Sequence, residues 1–138
     1  MTTEETLAAV PIFRDLPKKS LSRISQFARK RSFRAGDVIF KEGEEGVGFF
    51  MVTSGQVSVT RGGAELAKTG VGGFFGEMAL LDNHRRSATV TAVSDTECLA
   101  IMRSDFLAEL RGNADLAIEV LGVLTLRIRQ LDEQLTAH

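Results

Sequence analysis

The sequence predicts an α+β domain: an antiparallel β sandwich or jelly roll, flanked by N-terminal helices and a long C-terminal helix. Three observations carry this. Between Arg31 and Met102, short apolar runs alternate with glycine-bearing turns, the spacing of an antiparallel sandwich or roll. Before that region, Leu21, Ile24 and Phe27 recur at helical spacing. After it, Ala117, Leu121, Leu124, Ile128, Leu131 and Leu135 recur at intervals of four and three.

The elements follow in order. Thr2 or Thr3 can cap a short helix that runs to Val10, with Glu5 at the capping-box position. Pro11 is expected to end it. Ile12, Phe13 and Leu16 are expected to anchor the segment, and Pro17 to open a helix reaching Lys30. Arg29-Lys30-Arg31, with Arg34, then reads as a solvated helix end or as a contact for nucleic acid or an acidic partner. Strands are expected at Arg31–Arg34, Val38–Lys41, Phe49–Thr53, Gln56–Arg61, Glu65–Thr69, Ser87–Val93 and Glu97–Met102. Ser104 can cap a helix over Asp105–Arg111, with Gly112 as its stop. Asn113 can cap a longer helix to Thr136. Leu116, Val120 and Val123 give only its first half a second apolar stripe, so that half is expected to pack and the seam to continue beyond it.

Composition narrows the function. The chain of 138 residues reads as one domain: helices over 1–30, a β-roll over 31–102 and C-terminal helices over 104–136. A net charge of −1 argues against a general nucleic-acid surface. Cys98 is the single cysteine, so no intrachain disulfide can form, which fits a cytoplasmic location. The acidic, polar N-terminus does not read as a signal peptide. No apolar run approaches membrane-spanning length. The two histidines, His84 and His138, are too few for the metal centre of a jelly-roll enzyme, and no metal is expected. No nucleophile–base pair has a catalytic context, so no enzyme activity and no cofactor are expected.

One stretch, residues 74–90, carries chemistry. Gly76 opens a short helical segment to Leu81; Asp82-Asn83-His84 turns the chain; Arg85 onward reads as a strand. A helix start offers unpaired N–H groups, and glycine lets a ligand approach closely. Period-2 alternation separates the arginines. Arg86, Ala88, Val90 and Ala92 share one face, apolar apart from Arg86; Arg85, Ser87, Thr89 and Thr91 share the other. An inward guanidinium needs an anion. Arg86 is thus the candidate anion ligand and Arg85 its solvent-facing neighbour, while an Arg86–Glu77 ion pair without a ligand stays open.

Phe75-Gly76-Glu77-Met78-Ala79-Leu80 and Arg86-Ser87-Ala88-Thr89-Val90 resemble the phosphate-binding cassette of cyclic nucleotide-binding domains. That family occurs in cyclic nucleotide-gated channels, cyclic nucleotide-dependent kinases and catabolite activator-type regulators. Gly43-Glu44-Glu45-Gly46, Phe49 to Val52, Gly55 and Val57-Ser58-Val59 continue the resemblance. Arg85 stands where the family usually has proline, and Val47 where aspartate is common. The resemblance implies a jelly roll (double-stranded β-helix) and a cAMP or cGMP ligand. It implies that Arg86 holds the cyclic phosphate, with Phe75, Gly76, Met78, Ala79, Ser87 and Ala88 around it. Glu77 would take the ribose 2′-hydroxyl, Val59 and Leu66 would wall the purine, and Leu131 on the last helix would meet the base as part of a lid.

Three functions fit to different degrees. The first is a cyclic nucleotide sensor signalling through its last helix to a partner or dimer mate. The second is an interaction module of that fold without ligand, weakened by the presence of Glu77 and Arg86. The third is a small-molecule enzyme on a jelly roll, weakened by the missing metal ligands. The chain reads either as a stand-alone sensor or as a sensor domain cut from a larger channel or transcription regulator. A homodimer through the last helix and simple packing of that helix both remain open. The chain ends after that helix, so no DNA-binding domain is expected in it, and no membrane segment.

Overall fold

In a computed structural model, residues 2–82 and 84–136 are described, apart from the side chain of Met78. The chain divides into two compact units, Phe27–Leu107 and Met1–Gln26 with Ala108–His138.

The first is the β-roll. Its strands are β1 (Arg29–Phe33), β2 (Val38–Phe40), β3 (Gly48–Ser54), β4 (Val57–Arg61), β5 (Ala64–Thr69), β6 (Phe74–Phe75), β7 (Thr89–Ala92) and β8 (Thr96–Met102). They form two four-stranded sheets, ordered β1-β8-β3-β6 and β2-β7-β4-β5. Every pairing is antiparallel. The core comes from both sheets: Phe50, Val52, Cys98 and Ala100 from one, Phe40, Val57 and Val90 from the other. β3 is buried continuously from Gly48 to Val52, so it reads as an unbroken apolar run rather than an alternation. This is the jelly roll that the glycine punctuation predicts.

Two features differ from expectation. Arg29-Lys30-Arg31 lies in β1, not at a helix end. Pairing with β8 overrides the helical pattern there, and the charges are partly matched: Lys30 Nζ lies 3.1 Å from Glu97 Oε1 and Arg29 Nη2 4.0 Å from Asp105 Oδ2. The other is β6, too short to carry any periodic signal.

The second unit is helical. α1 (Thr3–Ala8) has the expected capping box: Glu5 N–H donates to Thr2 Oγ1, and Thr2 N–H to Glu5 Oε1. The helix ends two residues short of Val10, and Pro11 does not end it. Pro11 instead takes the first position of α2 (Pro11–Arg14), where its missing N–H costs nothing. α3 runs only over Lys18–Ser25. α4 (Arg103–Gly112), whose first five residues belong to the β-roll unit, begins one residue before the expected cap, so Ser104 sits inside it. α5 covers Ala114–Thr136, capped by Asn113, whose Oδ1 accepts from Leu116 N–H at 3.1 Å. Leu116, Val120 and Val123 are buried, whereas Leu121, Ile128, Leu131 and Leu135 are exposed. Among the described residues, no helix is long and apolar enough to cross a membrane.

Candidate functional site

A cavity of about 550 Å³ opens within the β-roll. Its walls come from β4, β5, β6, β7 and the connection between β6 and β7, with Phe40 contributed by β2. That connection contains a 3-10 turn at Glu77–Leu80, tighter than the α-helical segment expected. The turn still presents its first N–H groups away from its own carbonyls.

Arg86 is the cavity's central charge. Only 8% of it is exposed, and Ala88, Val90 and Ala92 are buried with it while Arg85 and Ser87 are exposed. The parity argument therefore holds, although β7 proper starts at Thr89. Arg86 Nη2 donates to the Gly48 carbonyl at 2.6 Å. Its guanidinium carbon lies 4.0 Å from the centroid of the Phe40 ring. Its Nε is buried and has no hydrogen-bond partner among the described residues. The Arg86–Glu77 ion pair is not formed; the guanidinium's hydrogen bond goes to Gly48, and its carbon sits over the Phe40 ring. Burial pulls the Arg86 pKa below its ordinary value, and the Glu44 carboxylate works against that shift.

Gly76 explains how so large a group fits. Its φ is +82°, and a Cβ there would collide with Arg86 Nη1 and crowd the Gly48 carbonyl. Gly46 is the second such position: a Cβ would meet the Ala79 Cβ and the His84 carbonyl. The backbone beside Arg86 is tied down on both sides, Arg86 N–H to the Glu44 carbonyl at 2.7 Å and Gly43 N–H to the Arg86 carbonyl at 2.8 Å.

Most of the predicted residues come together. Phe75, Gly76, Ala79, Arg86, Ser87 and Ala88 line the cavity, as do Val59 and Leu66. Glu77 sits half-buried at the head of the 3-10 turn and is not among the lining residues. Met78 lies in the same turn, its side chain outside the described residues. Leu131 is exposed on α5. Within residues 74–90, Phe74, Asp82, His84 and Val90 also line the cavity without an expected ligand role, and outside that stretch two lining residues escape sequence reasoning. Arg61 follows Val59 by one alternation, a signal that could have found it, and its Nε donates to the Ser87 carbonyl at 2.9 Å. Phe40 reaches the site only through the pairing of β2 with β7 and leaves no local trace in the sequence. Arg85, expected to face solvent, is exposed yet lines the cavity rim and donates to the Gly43 carbonyl at 2.8 Å.

Comparison with known proteins decides the family: residues 30–113 match the model of the cyclic nucleotide-binding domain. The chain belongs to that family. It is 38% identical over 130 residues to the cyclic AMP receptor protein of Thermus thermophilus, covering 91% of this chain and 60% of that protein. The structure resembles the N-terminal domain of a transcriptional regulator from Streptomyces coelicolor, with a TM-score of 0.82 and 26% identity over 93% of this chain and 95% of that one. It also resembles the regulatory domain of Toxoplasma gondii protein kinase A solved with cAMP, with a TM-score of 0.70 and 31% identity over 77% of this chain and 42% of that one. The chain spans 60% or less of the first curated relatives it matches. A cyclic nucleotide-binding domain is a ligand-binding module, and the cavity around Arg86 lies within the matched segment.

Proposed function

We propose that the chain is a cyclic nucleotide sensor that binds cAMP or cGMP in the cavity around Arg86. One observation carries the reading: Arg86 is a nearly buried guanidinium that, among the described residues, has no carboxylate at ion-pair distance and no hydrogen-bond partner for its Nε, in a cavity that it lines together with the basic Arg61 and Arg85 and apolar residues such as Val59, Leu66 and Phe75. Such a group is costly to leave without an anion. The proposed phosphate lies between Arg86 and the N–H groups that begin the Gly76–Ala79 turn, beside Ser87 and Ala88. Glu77 takes the ribose 2′-hydroxyl. Val59, Leu66 and Phe75 flank the purine.

The preference between the two nucleotides leans to cAMP, with Ser87 as the residue able to reverse it. The Thermus relative is a cyclic AMP receptor protein, but a Dictyostelium discoideum cGMP phosphodiesterase is 41% identical over 108 residues. The finer proposal is that α5 carries the signal to a partner or to a second copy of the chain.

Calorimetry of the wild-type chain with cAMP and cGMP tests the reading. Saturable binding of at least one supports it, and no heat with either, in folded protein, overturns it in favour of an interaction module that keeps the fold without the ligand.

A further inference from the structure

Among the described residues no carboxylate lies at ion-pair distance from the Arg86 guanidinium, and Glu44 acts on it only as a more distant charge. The guanidinium carbon lies over the Phe40 ring, 4.0 Å from its centroid. Beside Nη1 lies the space that a Cβ at Gly76 would need. Nη2 donates to the Gly48 carbonyl at 2.6 Å, and Nε has no hydrogen-bond partner among the described residues. The ring is itself fixed. Phe40 is 8% exposed, set edge-on to Phe75 at 6.4 Å and tilted against Phe50 at 6.1 Å.

Two devices could steady a buried arginine. A carboxylate would hold it firmly, but would cancel the charge that an incoming phosphate needs. An aromatic face offers negative potential through its quadrupole and carries no net charge. It can therefore orient the guanidinium without competing for it. Within ~6 Å of the centroid such contacts are attractive, and they strengthen when the pair is shielded from water.

We propose that Phe40 is a positioning residue for ligand binding: its ring holds the Arg86 guanidinium in place while leaving its charge available to a phosphate. The inference rests on Arg86 being the anion ligand. It adds that affinity depends on the electron density of a residue that need not touch the nucleotide.

The test varies the ring's electrons at nearly constant size. Phe40 is replaced site-specifically by mono-, di- and trifluorinated phenylalanine, and binding of cAMP and cGMP is measured by calorimetry. Affinity should fall stepwise with each fluorine, reaching about tenfold, or ~1.4 kcal/mol, in the trifluoro protein. The loss should be the same for both nucleotides, because the ring acts at the phosphate end that they share. Unchanged or rising affinity across the series, with the wild type binding normally, overturns the proposal. If the wild type binds neither nucleotide, the binding reading fails on its own, and the ring's hold is read in the ligand-free protein instead. There the Arg86 Nε–H resonance should carry the ring-current shift of Phe40 and lose it in Phe40→Leu. A resonance that stays put in Phe40→Leu overturns the stack itself.

Discussion

Arg86 and Arg85 are chemically identical neighbours that the backbone treats in opposite ways. Arg86 is turned inward and nearly buried; Arg85 is exposed and donates to a carbonyl at the rim. Removing one partner of a buried charged pair costs roughly 2–5 kcal/mol, whereas removing a rim charge costs much less. Arg86→Ala should therefore lose binding on that scale in calorimetry, and Arg85→Ala only a fraction of it; equal losses would mean that the wrong arginine was assigned. Glu77 poses a sharper question, because it does not line the cavity. If its carboxylate accepts the ribose 2′-hydroxyl, a 2′-deoxy nucleotide and Glu77→Ala remove the same interaction. Their losses should then be far from additive. Additive losses would exclude the contact and leave Glu77 complementing the positive end of its turn. At this scale the sequence was legible wherever a residue's role depends on its own neighbours. Alternation alone places Arg86 inward, and Gly76 is needed because Arg86 fills the space of its missing side chain. Phe40 was illegible, since 46 residues separate it from Arg86 and only strand pairing joins them.

Strands are legible where glycine and turn residues bound them, and the limits of the seven predicted strands lie within two residues of those observed, the largest offsets being β1, which begins two residues early at Arg29, and β7, which begins two late at Thr89. The errors fall where tertiary pairing overrides local pattern. α3 stops at Ser25 and the basic run joins β1, because β8 supplies a partner edge. The same pairing seals Cys98 in the core, opposite Arg31 on β1 and Val52 on β3. Burial pushes its thiol up to about 11, from an ordinary value of 9.0, with Arg31 pulling the other way. Between those two values the unfolded chain has released the thiol proton and the folded one has kept it. Unfolding then releases a proton, so stability falls as pH rises through this window. Denaturant melts of wild type and Cys98→Ala from pH 8 to 11 should differ in slope, with the alanine protein losing less stability over the upper part of that range. Parallel curves would mean that the thiol titrates alike in both states.

For the molecule as a sensor, the open question is how occupation of the cavity is reported, and α5 is the proposed output. Its two halves differ in what they stand to lose. Leu116, Val120 and Val123 are buried, whereas Ile128, Leu131 and Leu135 are among the most exposed large apolar residues of the chain. A helix end with few buried contacts opens at low free-energy cost. Exposed apolar side chains in a seam also gain by finding a surface, whether a partner, a second copy or a ligand-bound state of their own chain. Nucleotide can shift the helix only through a difference in affinity between its two states, so tight binding by itself would not move it. Amide hydrogen exchange over residues 128–135 measures that difference directly. It should be run at saturating nucleotide and at two protein concentrations. Slower exchange with ligand at both concentrations supports a response within the chain, with Leu131 as the proposed lid contact. Protection that also rises with protein concentration points to the second copy. Identical exchange with and without ligand, in protein shown to be saturated, would remove α5 from the output. The signal would then have to leave through the β-roll, where the turn at Glu77–Leu80 and the Arg61 link to the Ser87 carbonyl adjoin the proposed phosphate site.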